Sequence, residues 1–167
     1  MRRAVIAAVL AVALSGCTMV ESVDPAADPA PAPQQTRRGE TSIPVKVVTR
    51  GGGTVVKVPV RIGGRGPYEF ILDTGASISA LDKRLVAKLG LAETGETAQV
   101  TGVTGAAELP LVSIPKWTLA GHTLHADALP VIDLAGSGSG LLGADELRRF
   151  GAIRIDFAGK RLVLRDR

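Results

Sequence analysis

The sequence predicts an all-β fold with minor helix, and three observations carry that prediction. Its β-forming runs are short, Gly and Pro separate them, and only two stretches show helical periodicity. Thr54 to Ile62 alternates well enough for a strand, Gly63-Gly64-Arg65-Gly66-Pro67 reads as a turn, and Tyr68 to Leu72 returns, making a hairpin ahead of Asp73. After a further strand over Ile78 to Leu81, Asp82 to Leu89 reads as a helix. Asp82 suits its N-cap, Leu85, Val86 and Leu89 form one apolar face, and Gly90 suits the C′ stop. Val100-Thr101-Gly102-Val103-Thr104-Gly105 lies between strand-like segments and has the Gly content of a hairpin tip. Trp117 to Leu119, Thr123 to His125 and Leu129 to Ile132 read as further strands, joined by turns at Ala120-Gly121-His122 and around Asp127. Gly136-Ser137-Gly138-Ser139-Gly140 is a flexible loop. It leads to the apolar strand end Leu141-Leu142-Gly143 and a helix-like Ala144 to Phe150. Ile153 to Asp156 and Arg161 to Arg165 flank Phe157-Ala158-Gly159-Lys160 as a last hairpin.

The first 16 residues belong to no fold. Arg2 and Arg3 precede an apolar run from Ala4 to Leu14, which has the pattern of an export signal and is too short for a membrane span. Leu14-Ser15-Gly16-Cys17 resembles the bacterial lipobox, which implies cleavage before Cys17 and acylation of its thiol. Cys17 is the only cysteine, so no intramolecular disulfide forms, and lipidation accounts for a lone thiol in an exported chain. Residues 17–41 are Pro/Ala-rich and polar, a composition that buries no core and favours extended chain. At about 3 Å per residue they tether the domain up to roughly 70 Å from a bilayer. The domain itself is expected over 42–167. The lipobox resemblance implies the cell envelope, and, in a Gram-negative cell, Thr18 after the lipidated position favours the periplasmic side of the outer membrane.

Charge excludes a nucleic-acid role. Without Arg2 and Arg3 the chain holds 18 Lys and Arg against 16 Asp and Glu, aromatics are 3%, and no basic cluster is interleaved with them.

The chemistry is concentrated in Phe70-Ile71-Leu72-Asp73-Thr74-Gly75-Ala76-Ser77, where an apolar strand delivers one carboxylate into a turn of small residues. Such a strand end holds a carboxylate for acid–base work, Thr74 and Ser77 offer hydroxyls, and Gly75 admits a close backbone approach. Further on, Leu141-Leu142-Gly143-Ala144-Asp145-Glu146-Leu147 repeats the order of apolar strand, turn and short helix. With these two motifs at this spacing, the stretch from Ser42 to Arg167 resembles the retropepsin-like aspartic proteases. The resemblance implies a closed β-barrel, half of an acid protease, with one or two short helices and active as a two-fold dimer. It further implies peptide hydrolysis without metal or cofactor on a peptide or protein substrate. Asp73 would be catalytic, one from each chain of a homodimer, because this chain carries a single Asp-Thr-Gly. Thr74 would brace the two loops, Gly75 would admit substrate, Ala76 and Ser77 would lie beside the dyad, and Thr101 to Gly105 would form the flap. A catalytically silent peptide- or partner-binding envelope lipoprotein with the same fold is the alternative, and a structural lipoprotein is a third reading.

Competing motifs are weaker. Gly138-Ser139-Gly140-Leu141-Leu142-Gly143 fits a dinucleotide fingerprint, but too few residues follow for the rest of a Rossmann unit. His122 and His125 with Asp127 nearby suggest a metal, yet strand positions three apart face opposite sides, so both histidines read as polar surface. Asp145 reads as capping or beginning the second helix, Glu146 as favouring its positive end, and Asp133 as a loop or strand-end residue and first reserve for a second carboxylate.

Metabolic labelling with a fatty acid should mark the wild-type chain. Cys17→Ala should lose both the label and stable membrane association, since two acyl chains are what durable anchoring requires. An unlabelled, freely soluble wild type would end the lipoprotein reading.

Overall fold

A computed structural model describes residues 39–102 and 105–167. The signal, Cys17, most of the tether and the flap residues Val103 and Thr104 lie outside the described residues. β1 (Glu40–Pro44) pairs with β13 (Arg161–Arg165), the central strand, which pairs in turn with β12 (Ala152–Asp156) in a three-stranded antiparallel sheet. The first described strand starts at Glu40, two residues ahead of the expected domain boundary, because Glu40 and Thr41 pair with Arg165 and Leu164.

The larger sheet holds β2 (Lys46–Arg50), β3 (Gly53–Ile62), β4 (Arg65–Leu72), β5 (Ala80–Asp82), β6 (Glu93–Gly102), β7 (Gly105–Ser113), β8 (Trp117–Leu119), β9 (His122–Thr123), β10 (Ala128–Ile132) and β11 (Gly140–Leu142). Its order is β6-β7-β10-β5-β11-β4-β3-β8-β9, with β2 on β3. β11 is threaded between two strands that are neighbours in sequence, running parallel to β4 and antiparallel to β5. Among the described residues, only β11 with β4 and β10 with β5 are parallel.

Tertiary bonds correct four expected boundaries. The turn after β3 is only Gly63-Gly64, both with positive φ (54° and 75°), the geometry of a two-residue hairpin; a register shift between Val60 and Ile62 then lets Arg65 to Pro67 join β4. Strand β5 starts at Ala80 because the Ser79 amide donates to Asp145 Oδ2 (3.0 Å). β9 stops at Thr123, since the His125 and Ala126 amides donate to Glu146 Oε1 (2.9 and 2.8 Å). The second helix, α2, covers only Ala144–Leu147; the amides of Arg149 and Phe150 reach back just three residues, to Glu146 and Leu147, and the chain leaves for β12.

The first helix, α1 (Lys83–Leu89), matches expectation. Asp82 caps it by accepting from the Arg84 amide (3.0 Å), Gly90 closes it at φ 64°, and Leu85 and Leu89 are buried. Asp82 Oδ2 also accepts from the Leu134 amide (2.9 Å), which ties the loop after β10 to the helix start.

Phe70 and Trp117 occupy the centre of the core with ring centroids 6.2 Å apart, among Val58, Val60, Ile62, Leu81, Leu119 and Leu142. The Trp117 indole donates to the Ala126 carbonyl (3.1 Å), so burying it leaves no orphaned donor. Gly140 sets how closely β11 can approach: a Cβ there would stand 2.4 Å from Phe70 Cε1 and 2.7 Å from the Ala80 carbonyl.

Gly140→Ala should therefore lower unfolding free energy by about 1–3 kcal/mol through overpacking. Gly53→Ala, whose Cβ would meet nothing nearer than the Arg50 carbonyl at 3.7 Å, should change it by less than about 1 kcal/mol. Urea denaturation of both variants measures the contrast, and equal midpoints would contradict it.

Candidate active site

Strand β4 ends by handing Asp73 to the turn, with the Asp73 amide donating to the Leu142 carbonyl (3.0 Å) and so extending the parallel ladder by one bond. The carboxylate folds back over its own loop. Oδ1 accepts from the amides of Gly75 (2.9 Å) and Ala76 (3.2 Å), and a Cβ at Gly75 would crowd that oxygen at 3.3 Å. No described residue bonds Oδ2. Asp73 thus keeps one oxygen for holding its position and presents the other.

That carboxylate lines a cleft of about 500 Å³ with Gly75, Ala76 and Ser77 on one wall and Gln99, Val100 and Thr101 of β6 on the other. The hairpin of β6 and β7, paired up to Gly102 and Gly105, overhangs it. Of the expected flap residues the structure brings Thr101 to the cleft. Val100, at the start of the expected hairpin tip, also lines it, as do Ile78 and Gln99, whose type and spacing carry no signal in the sequence. Thr74 is exposed and faces away from this cleft into a groove of about 290 Å³ formed with Ala144, Leu147, Phe150, Ala152 and Ile153.

The loop is clamped from beneath by the second motif. Leu142 is fully buried opposite Leu72, half-buried Leu141 lies opposite Ile71, and a Cβ on Gly143 would collide with the Ile78 carbonyl group at 2.7 Å. The Ser79 hydroxyl, 0% exposed, accepts from the Gly143 amide (3.0 Å) and donates to Asp145 Oδ1 (2.8 Å). The Ala144 amide donates to the Ala76 carbonyl (2.8 Å). Asp145 therefore lies in the first turn of α2, as expected, but caps Ser79 and not the helix, whose N-cap Gly143 makes no side-chain bond.

Glu146 also lies in the first turn, as expected, and its carboxylate is bonded outward. It is 2% exposed; Oε1 takes the two amides after β9, and Oε2 has no hydrogen bond but lies 3.5 Å from Arg149 Nε and 3.6 Å from His125 Nδ1. His125 stays at the surface, and His122 is half-buried. It packs edge-on to Phe150 and its Nε2 bonds Thr41 Oγ1 at 3.0 Å. Among the described residues no three His, Cys, Asp or Glu side chains gather as a metal site requires. Asp133 follows β10 and pairs with Lys83 (2.6 Å); that bond, then one from the Ala135 amide, holds its carboxyl below the usual range. Glu69 is likewise lowered, first by its hydrogen bond from Lys46 and further by Lys57, against a smaller opposing effect of burial.

A model of the family described as aspartyl protease matches residues 58–145, more than half the chain, from β3 into α2. Among solved structures, the chain is similar to a retropepsin-like aspartic protease from Rickettsia conorii, at 25% identity and a TM-score of 0.53 over 77% of this chain and 91% of that one. No curated protein matches it.

Asp145→Ala should leave the Ser79 hydroxyl and amide without their shared acceptor and cost about 3 kcal/mol of unfolding free energy. Asp145→Asn, which keeps one acceptor oxygen, should cost less. Denaturant titration ranks the two, and an alanine variant as stable as wild type would show that the clamp is dispensable.

Proposed function

The chain belongs to the aspartyl protease family, and from that premise we propose that it hydrolyses peptide bonds with a water activated between two Asp73 carboxylates, one from each copy of a homodimer. The observation that carries this reading is the division of labour within Asp73: Oδ1 is held by two amides while Oδ2 is left to the cleft. Carboxylate-only hydrolysis needs a base toward water and an acid toward the substrate carbonyl. Two facing carboxylates at close range favour one shared proton over double ionisation, which supplies both roles at once. Proton transfer from water to one carboxylate accompanies attack on the carbonyl carbon, and the proton held by the other passes to the carbonyl oxygen. Collapse of the resulting gem-diol, with a proton delivered to the leaving nitrogen, breaks the C–N bond. The β6–β7 hairpin excludes bulk water from the cleft.

Two features support a second copy as the source of the second carboxylate. Strand β12 is an edge of the three-stranded sheet, and two-fold related copies of such a strand pair antiparallel. The groove between Thr74 and Ile153 is continuous with that edge and is walled by Ala144, Leu147, Phe150 and Ala152. Burying it sets the two Thr74 side chains, and with them the two Asp73 loops, near the axis. Export and a lipid anchor at Cys17 complete the proposal and place the enzyme in the cell envelope, on the periplasmic side of the outer membrane in a Gram-negative cell.

Asp73→Asn should lower peptide cleavage by several orders of magnitude while folding and dimerisation survive, because the amide keeps the acceptor for Gly75 and Ala76 but cannot hold the shared proton. Specific activity of the Cys17→Ala chain should fall on dilution through the dimer dissociation constant. Undiminished cleavage by Asp73→Asn would move the chemistry elsewhere. A fully active monomer would send the search for a second carboxylate back to Asp133.

A further inference from the structure

A further depression opens along β4, the strand that ends one residue before Asp73. Glu69, Ile71 and Asp73 alternate along one strand and so share a face of the sheet. Lys57 lies opposite Ile71, and carrying that register on by two residues sets Val55 level with Asp73. Across the next ladder Val48 lies opposite Val55 and Lys46 opposite Lys57. On this face opens a pocket of about 430 Å³, floored by Val48, Val55 and Ile71 and rimmed by Arg50 and Lys57. Val48 and Val55 are, with the distant Phe157, the exposed large apolar side chains of the described residues, at 36% and 38%. Two adjacent valines left open on the strand face that leads to Asp73 are a ready seat for an apolar side chain.

The charges around that seat are unbalanced. A second depression of about 380 Å³ shares Lys57 and Gly136 with the first and adds Tyr68, Arg84 and Lys88. Its carboxylates are committed: Glu69 to Lys46 and Lys57, and Asp82 to the Arg84 and Leu134 amides. Lys88 lies over the Tyr68 ring, 5.7 Å from its centroid, and no carboxylate stands within ion-pair distance of Arg50 or Arg84 among the described residues. Asp133 acts on Arg84 only at longer range, being bonded to Lys83. The bare Gly136 lets the Arg84 guanidinium lie against the loop, where a Cβ would stand 2.7 Å from Nη1.

We infer that this groove selects acidic peptides: an apolar substrate side chain sits on Val48, Val55 and Ile71, and Asp or Glu side chains flanking it meet Arg50 and Arg84. The inference rests on the hydrolase reading only for the direction in which the peptide approaches Asp73. Each exposed charge pair contributes about a two- to five-fold preference, and salt screens it.

The test uses three peptides of equal length around one apolar residue, flanked by Glu, Gln or Lys. Cleavage by the wild-type chain gives kcat/KM, and fluorescence anisotropy on the Asp73→Asn chain gives Kd without turnover. The Glu peptide should bind more tightly and be cleaved faster than the Gln peptide, and the Lys peptide less well than either, with the order fading at high salt. Arg50→Gln combined with Arg84→Gln should bring the three Kd values together, whereas Lys116→Gln, remote from the groove, should leave the order intact. Cleavage without charge preference would overturn the inference and leave the hydrolase reading standing. Preferential binding of the Glu peptide with no cleavage by wild type would do the reverse. No binding and no cleavage of any of the three would overturn both.

Discussion

The geometry of the carboxylate rests on a three-residue strand. β11 lies between β4 and β5, and its Leu142 carbonyl receives the amide of Asp73 itself. A strand this short has few ladder bonds, so its position depends on what holds its end. The buried Ser79 hydroxyl does so, taking the Gly143 amide on one side and giving its proton to Asp145 on the other. Because Ser79 also donates its amide to Asp145, one carboxylate three residues beyond the strand fixes the loop that begins at Asp73, six residues before Ser79. The two glycines that flank Leu141 and Leu142 are the steric condition for this closeness: Gly140 clears Phe70, and Gly143 clears Ile78. Adding a methyl at either would push the clamp apart before any polar bond was broken.

Glu146 extends the same logic one residue further. A carboxylate with 2% exposure is costly unless its lone pairs are used, and Oε1 is used fully by two successive amides. Oε2 has cations at 3.5 and 3.6 Å and no hydrogen bond. Four residues of α2 therefore serve three structures at once: the Asp73 loop through Asp145, the β9–β10 connection through Glu146, and, through Leu147 and the following Phe150, the groove beside Thr74. So short a helix has little stability of its own. Its side chains, bonded outward, hold it.

The exposed face of β4 gains its chemical character from the alternation of a single strand. Glu69, Ile71 and Asp73 present charge, apolar surface and a carboxylate in succession, while Phe70 and Leu72 point into the interior. One β-strand thus anchors the core through one face and carries the proposed substrate contacts on the other. A slip of one residue in the register of β4 against β11 would bury Asp73 and expose Phe70, which is why the core and the site constrain each other.

Much of this was legible in the sequence. Alternation and turn residues located the β3–β4 hairpin, the capped helix after Asp82 and the last hairpin, because those are local choices of backbone and side chain. The Asp-Thr-Gly turn and the Leu-Leu-Gly strand end marked the two segments that meet at the carboxylate, and the similarity to aspartyl proteases agrees with that pairing. What stayed hidden was long-range. Asp145 looked like a helix cap and Glu146 like a dipole partner, since capping needs only neighbours in sequence. Their actual partners, Ser79 at a separation of 66 and His125 and Ala126 at 21 and 20, exist only once β11 is threaded between β4 and β5. The same holds for Gln99, brought to the cleft by a hairpin, and for Arg50 and Arg84, brought by β2 and α1 to two depressions that share Lys57 and Gly136. Local sequence determined which segments are strands and where the family's Asp-Thr-Gly stands. Tertiary structure decided which polar groups satisfy one another, because a buried carboxylate is bound by whichever amides the topology leaves without a partner.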